Sequence, residues 1–128
     1  MNDQERLELV EYRIAKANDT LNEVQLLIQN KLWNTSVNRL YYACYYAVIA
    51  LLVKNKIEAT THSGARQMFG LHFIKTGIIE KRLGKFYTDI FDNRQTGDYE
   101  DFMDFDEEDV ISLVKPASDL ITAIQKLL

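Results

Sequence analysis

Cysteine, proline and glycine are all scarce in this chain, and each shortage excludes something. Its 128 residues include one cysteine, one proline and five glycines. A single cysteine rules out a disulfide within the chain and any cysteine-built zinc cluster. So few turn-formers rule out an all-β sandwich, which needs a turn roughly every 8–12 residues. Histidine is also rare: His62 and His72 are the only two, and neither has an acidic residue three or four positions after it. There is no Glu-x-x-His pair of the di-iron bundle type. No glycine-rich phosphate loop is present. The acidic run "EDFMDFDEED" lacks the glycine and the alternation of a calcium loop. No metal and no cofactor are therefore expected. No uninterrupted apolar run reaches the roughly 18 residues of a membrane span. The opening "MNDQERLELV" is charged where a secretion leader would be apolar. The expected location is the cytoplasm, with no membrane contact.

What the chain does have is helical periodicity and a core's worth of apolar residues, 47% of the total. Residues 1–128 are expected to form one all-α domain, a compact up-and-down bundle of four to five helices. Leu7, Val10, Ile14, Ala17, Leu21, Val24 and Ile28 make a stripe at alternating spacings of three and four. That stripe predicts a long N-terminal helix packed along the bundle. "NTSVNRLYYACYYAVIALLVK" predicts a second helix, apolar nearly all round and so buried on several sides, with Asn34, Thr35 or Ser36 as cap. Its tyrosines, Tyr41, Tyr42, Tyr45 and Tyr46, face several directions, and each buried hydroxyl needs a partner. Ala43, Ala47 and Ala50 permit close approach of a neighbouring helix or a second subunit. Cys44 reads as a buried, inert thiol. Thr60 or Thr61 is expected to cap a third helix covering Arg66 to Lys75, with Gly77 ending it or its following turn.

Leu83, Phe86, Tyr87, Ile90 and Phe91 define one face of a fourth helix, and Arg94 continues that series. Gly97 is expected to break the helix. Asp106 caps a last helix with Glu107, Glu108 and Asp109 in its first turn, and Pro116 is expected to kink or break it. Charge is unevenly spread. Residues 54–94 carry eight Lys/Arg against four Asp/Glu, whereas residues 95–128 carry two against nine. A uniformly basic nucleic-acid binder is excluded, but a local basic surface in the middle of the chain is not.

Arg94 is the main candidate functional residue. Its position predicts a guanidinium on the groove side of the helix end. A planar, permanently charged fork suits phosphate oxygens. Arg39, Arg66 or Lys85 would help it, and His62, at the start of the third helix, would add a phosphate contact. The alternative is an ion pair with Asp98, Asp92 or another acidic residue of the connector.

The segments "SVNRLYYACYYAVIALL", "TTHSGARQMF", "FIKTGII" and "RQTGDY", in that order, resemble the HEPN (higher eukaryote and prokaryote nucleotide-binding) domain family from about Trp33 to Phe105. The resemblance implies a helical bundle, often a homodimer, and a partner that is a minimal nucleotidyltransferase in a toxin–antitoxin pair. It also implies, in active members, metal-independent RNA cleavage by an Arg, a polar residue after it, and a His four to six residues on. Here the Arg is Arg94 and the polar residue is Gln95. Where the His should be stand Tyr99, Glu100 and Asp101. Tyrosine, with a pKa of about 10, is a poor base at neutral pH. The expected function is therefore a module binding nucleotide or RNA phosphate through Arg39, His62, Arg66, Arg94, Gln95, Asp98 and Tyr99. An RNA-cleaving toxin using Arg94 and Tyr99 or another substituted base is the second reading. Protein–protein interaction alone is the third.

Overall fold

α1 (Asp3–Gln29) starts where Asn2 accepts the backbone N–H of Glu5 at 2.8 Å. Its stripe does what its spacing implies: Val10, Ala17 and Val24 are buried, and Ile14, Leu21 and Ile28 pack beside them. Only Leu7, near the start, remains exposed. The computed structural model describes residues 1–99 and 104–128, with residues 95–99 described by backbone alone.

α2 (Trp33–Lys54) runs antiparallel to α1, as the pairing of Arg6 with Val53 and of Arg13 with Ile49 shows. It touches all four other α-helices. Val37, Leu40, Tyr41, Ala43, Cys44, Ala47, Val48, Ala50 and Leu51 are all fully buried, so the alanines serve the chain's own packing. By length and composition alone α2 is long and apolar enough to cross a membrane, and 61% of that stretch is buried inside the bundle. Burial pushes the Cys44 thiol up, which keeps it protonated and unreactive. The cap differs from expectation. Leu32 occupies the N-cap position without a side-chain bond. Asn34 instead bridges to the far side of the bundle, donating to Asp104 Oδ1 at 3.1 Å and accepting the Phe105 N–H at 2.9 Å.

α3 (His62–Phe69) is capped by Thr61, whose Oγ1 accepts the Gly64 N–H at 2.8 Å. Its cap is one of the two residues expected, and it covers Arg66 as expected, but as an α-helix it stops at Phe69. It continues as a single π-turn, Gly70–Ile74, and the chain then reverses at Gly77, whose φ of +81° suits glycine. α4 (Lys81–Tyr99) buries Leu83, Tyr87, Ile90 and Phe91. It runs through Gly97, so that residue does not end it. An interior glycine costs about 1 kcal/mol against alanine but forbids nothing. α5 (Glu107–Gln125) opens on a capping box: Asp106 Oδ1 accepts the Asp109 N–H at 2.9 Å, and Asp109 Oδ2 accepts the Asp106 N–H at 3.1 Å. The break considered at Pro116 does not occur. The N–H that proline lacks would have served the carbonyl four residues earlier, at exposed Ser112, where solvent can take its place. Among the described residues every regular element is a helix or helical turn.

Gly84 is where α4 meets the π-turn. A Cβ there would lie 2.8 Å from both Cγ atoms of Ile74. A β-branched side chain turns aside poorly. Gly84→Ala is therefore expected to lower stability by about 1–3 kcal/mol through overpacking, although alanine is the better helix former. Urea unfolding decides it: a raised midpoint would mean that the close approach of Ile74 carries no constraint.

Candidate anion-binding site

Tyr41 sits at the centre of a cluster drawn from three helices. Its ring is fully buried on α2, stacked on Tyr87 of α4 at 6.0 Å and edge-on to Phe91 at 5.8 Å. Its hydroxyl lies 2.7 Å from Nδ1 of His62, the first residue of α3. The His62 ring stacks on Tyr45 at 4.0 Å and stands edge-on to Tyr42 at 5.6 Å. Tyr45 lies beside both Tyr41 and Tyr42 on α2 because offsets of four and three residues bring side chains together.

Three arginines close over these rings. The Arg94 guanidinium carbon lies 4.9 Å from the Tyr41 centroid, 5.8 Å from Tyr42 and 6.0 Å from Phe91. Arg39 shares the Tyr42 ring at 4.8 Å, and Arg66 shares Phe91 at 5.1 Å. Cation–π contact favours a guanidinium over the face of a ring. Neither Arg39 nor Arg66 forms an ion pair among the described residues. Lys85 does not join them: it pairs with Asp89 at 2.7 Å on the exposed side of α4. Arg39, His62, Arg66 and Arg94 thus border one group of rings. The side chains of Gln95, Asp98 and Tyr99 lie outside the described residues, as does all of Glu100 and Asp101.

The cluster also sets protonation states. Burial pushes the Tyr41 phenol up to about 12, against a smaller opposing pull from neighbours that include Arg94. Burial, and then the charge of Arg94, hold His62 below its ordinary 6.5. At neutral pH the site therefore has a neutral imidazole beside a guanidinium. Among the described residues no group of three or more His, Cys, Asp or Glu could hold a metal ion.

Sequence reasoning missed the platform itself. The tyrosines were marked as needing partners, but their identity depends on how α3 is docked. It also missed an adjoining groove of about 660 Å³, lined by Arg6, Arg13, Lys56, Ile49, Ile57 and Tyr45. Tyr45 is the wall shared between groove and cluster.

Comparison with known proteins agrees with this architecture. The HEPN domain family model matches residues 10–127. A UPF0332 protein of Thermotoga maritima is 39% identical over 128 residues, covering 100% of this chain and 96% of its own. Two candidate toxins of Methanocaldococcus jannaschii are similar over nearly their whole length. One is 31% identical over 121 residues, 94% of this chain and 90% of the relative, and the other 29% over 131 residues, 96% and 89% respectively. With a family model spanning nearly the whole chain, this chain belongs to the HEPN domain family.

Proposed function

We propose that the Arg94 cluster binds the phosphate of a nucleotide or of RNA, and that the protein works as the toxin-like member of a toxin–antitoxin pair. The observation that carries this is the convergence of Arg39, Arg66 and Arg94 on the Tyr41, Tyr42 and Phe91 rings. Three cations on one aromatic platform repel each other, and an anion between them relieves that repulsion. The rings add stacking faces for a base, as in single-strand binding sites. The groove beside Tyr45, rimmed by Arg6, Arg13 and Lys56, extends the positive surface in one direction. The names of the two archaeal relatives support the toxin reading. A minimal nucleotidyltransferase is the proposed partner, on the family resemblance, and the proposed location is the cytoplasm.

A second reading is metal-independent RNA cleavage. It is favoured by one observation: His62 stands in the same cluster as Arg94.

Two outcomes are expected. Arg94→Ala weakens binding of a nucleotide or a short RNA by about 1–3 kcal/mol, the scale of a charge-assisted hydrogen bond. Fluorescence anisotropy reads this, and a variant that loses stability but binds equally well would make Arg94 a structural tie. The protein is also proposed to be a homodimer, supported by the family resemblance. Light scattering is expected to give twice the chain mass of 14.9 kDa at micromolar concentration, and a monomer would contradict the proposal.

A further inference from the structure

RNA cleavage at a phosphate held by Arg94 needs a group to take the proton of the neighbouring 2′-hydroxyl. Arginine cannot do it, because it stays protonated. Burial pushes the Tyr41, Tyr45 and Tyr87 phenols above the ordinary phenol range, too high to act as bases at pH 7. One imidazole remains. His62 is half-buried, with Nδ1 fixed to the Tyr41 hydroxyl at 2.7 Å and its ring flat on Tyr45 at 4.0 Å. Nε2 makes no hydrogen bond to any described residue and is not among the buried unsatisfied atoms, so solvent and substrate can reach it.

We propose that His62 is the proton acceptor of this site, with Nε2 as its working atom and Tyr41 as the residue that positions it. The assignment rests on the phosphate-binding reading of Arg94 and extends it to a reaction. When Nδ1–H donates to the Tyr41 oxygen, Nε2 carries the free lone pair. The 2′-hydroxyl of a bound RNA gives its proton to Nε2, the 2′-oxygen bonds to phosphorus, and the bond from phosphorus to the 5′-oxygen breaks. The departing 5′-oxygen takes a proton from water, and the imidazolium returns its proton to solvent. The products are a 2′,3′-cyclic phosphate and a 5′-hydroxyl. Arg94 opposes the negative charge that gathers on the phosphorane oxygens.

The groups facing His62 suit the role. Tyr41, Tyr42 and Tyr45 face it from α2, and Arg94 acts on it from α4. On its own helix, Arg66 lies one turn further on. Among the described residues none of these is a carboxylate, and burial and the charge of Arg94 both disfavour the protonated imidazole. His62 comes from a different helix than the expected motif position, which is why spacing along the chain does not reveal it.

The test uses a short 5′-labelled single-stranded RNA, its 2′-deoxy counterpart, and EDTA throughout. The wild type is expected to cleave the RNA to a cyclic phosphate and leave the deoxy strand intact. Its rate should fall about tenfold per pH unit below a midpoint under 6.5. His62→Asn offers Tyr41 a similar polar contact but no base, and should cut cleavage by at least about 100-fold while binding the deoxy strand within about twofold of wild type. The assignment is overturned by a wild type that does not cleave, by a rate unchanged between pH 5 and 6.5, by His62→Asn cleaving as wild type, or by that variant losing binding in step with cleavage. Arg94→Ala binding the deoxy strand as tightly as wild type would instead remove the phosphate reading beneath it.

Discussion

The hydrogen bond between the buried Tyr41 hydroxyl and His62 Nδ1 is the constraint on which the site depends. A phenol at the centre of a helical core must find a partner, since an unsatisfied buried hydroxyl costs about 1–3 kcal/mol. Here the partner is the first residue of α3, so the same bond ties the start of α3 to the core of α2. Thr61 supports it by capping the helix at that point. The tyrosine ring does a second job. Held between Tyr87 and Phe91, it presents a face to Arg94. Core packing and site geometry therefore share one side chain, and neither can be altered without the other.

The same arrangement explains the chemistry available. Arginines laid on rings lose part of their hydration, which strengthens their interaction with an anion. Histidine in that field is biased towards its neutral form, whereas a carboxylate neighbour would have biased it the other way. A neutral imidazole beside guanidiniums can accept a proton and tolerate a phosphate. A carboxylate in its place would repel the phosphate.

The fold was largely legible in the sequence because helical burial is periodic. The α1 stripe, the all-round apolar α2, the Leu83-to-Phe91 face of α4 and the Asp106 cap each follow from spacing or from a local hydrogen bond. What was misread depended on distant partners. Asn34 looks like a cap for α2, yet it is recruited by Asp104 and Phe105, 70 and 71 residues away. The Thr61 cap announces the start of α3, but no local pattern announces that its first residue meets Tyr41, 21 residues away. The site was legible in part: the series through Ile90 pointed Arg94 inward, and Arg39, His62 and Arg66 were marked by type. That these groups share three rings is a matter of tertiary packing. Lys85 shows the limit, since its sequence neighbourhood is as basic as theirs while its i, i+4 partner Asp89 keeps it on the surface.

The most direct test of whether Tyr41, His62 and Arg94 form one unit is to follow the His62 ring nitrogens by long-range proton–nitrogen correlation across pH. At pH 7 the ring is expected to be neutral with its proton on Nδ1, to titrate below 6.5, and to titrate higher in Arg94→Ala, because the charge that disfavours protonation is gone. A ring already protonated at pH 7, a proton on Nε2, or a titration indifferent to Arg94 would contradict the account.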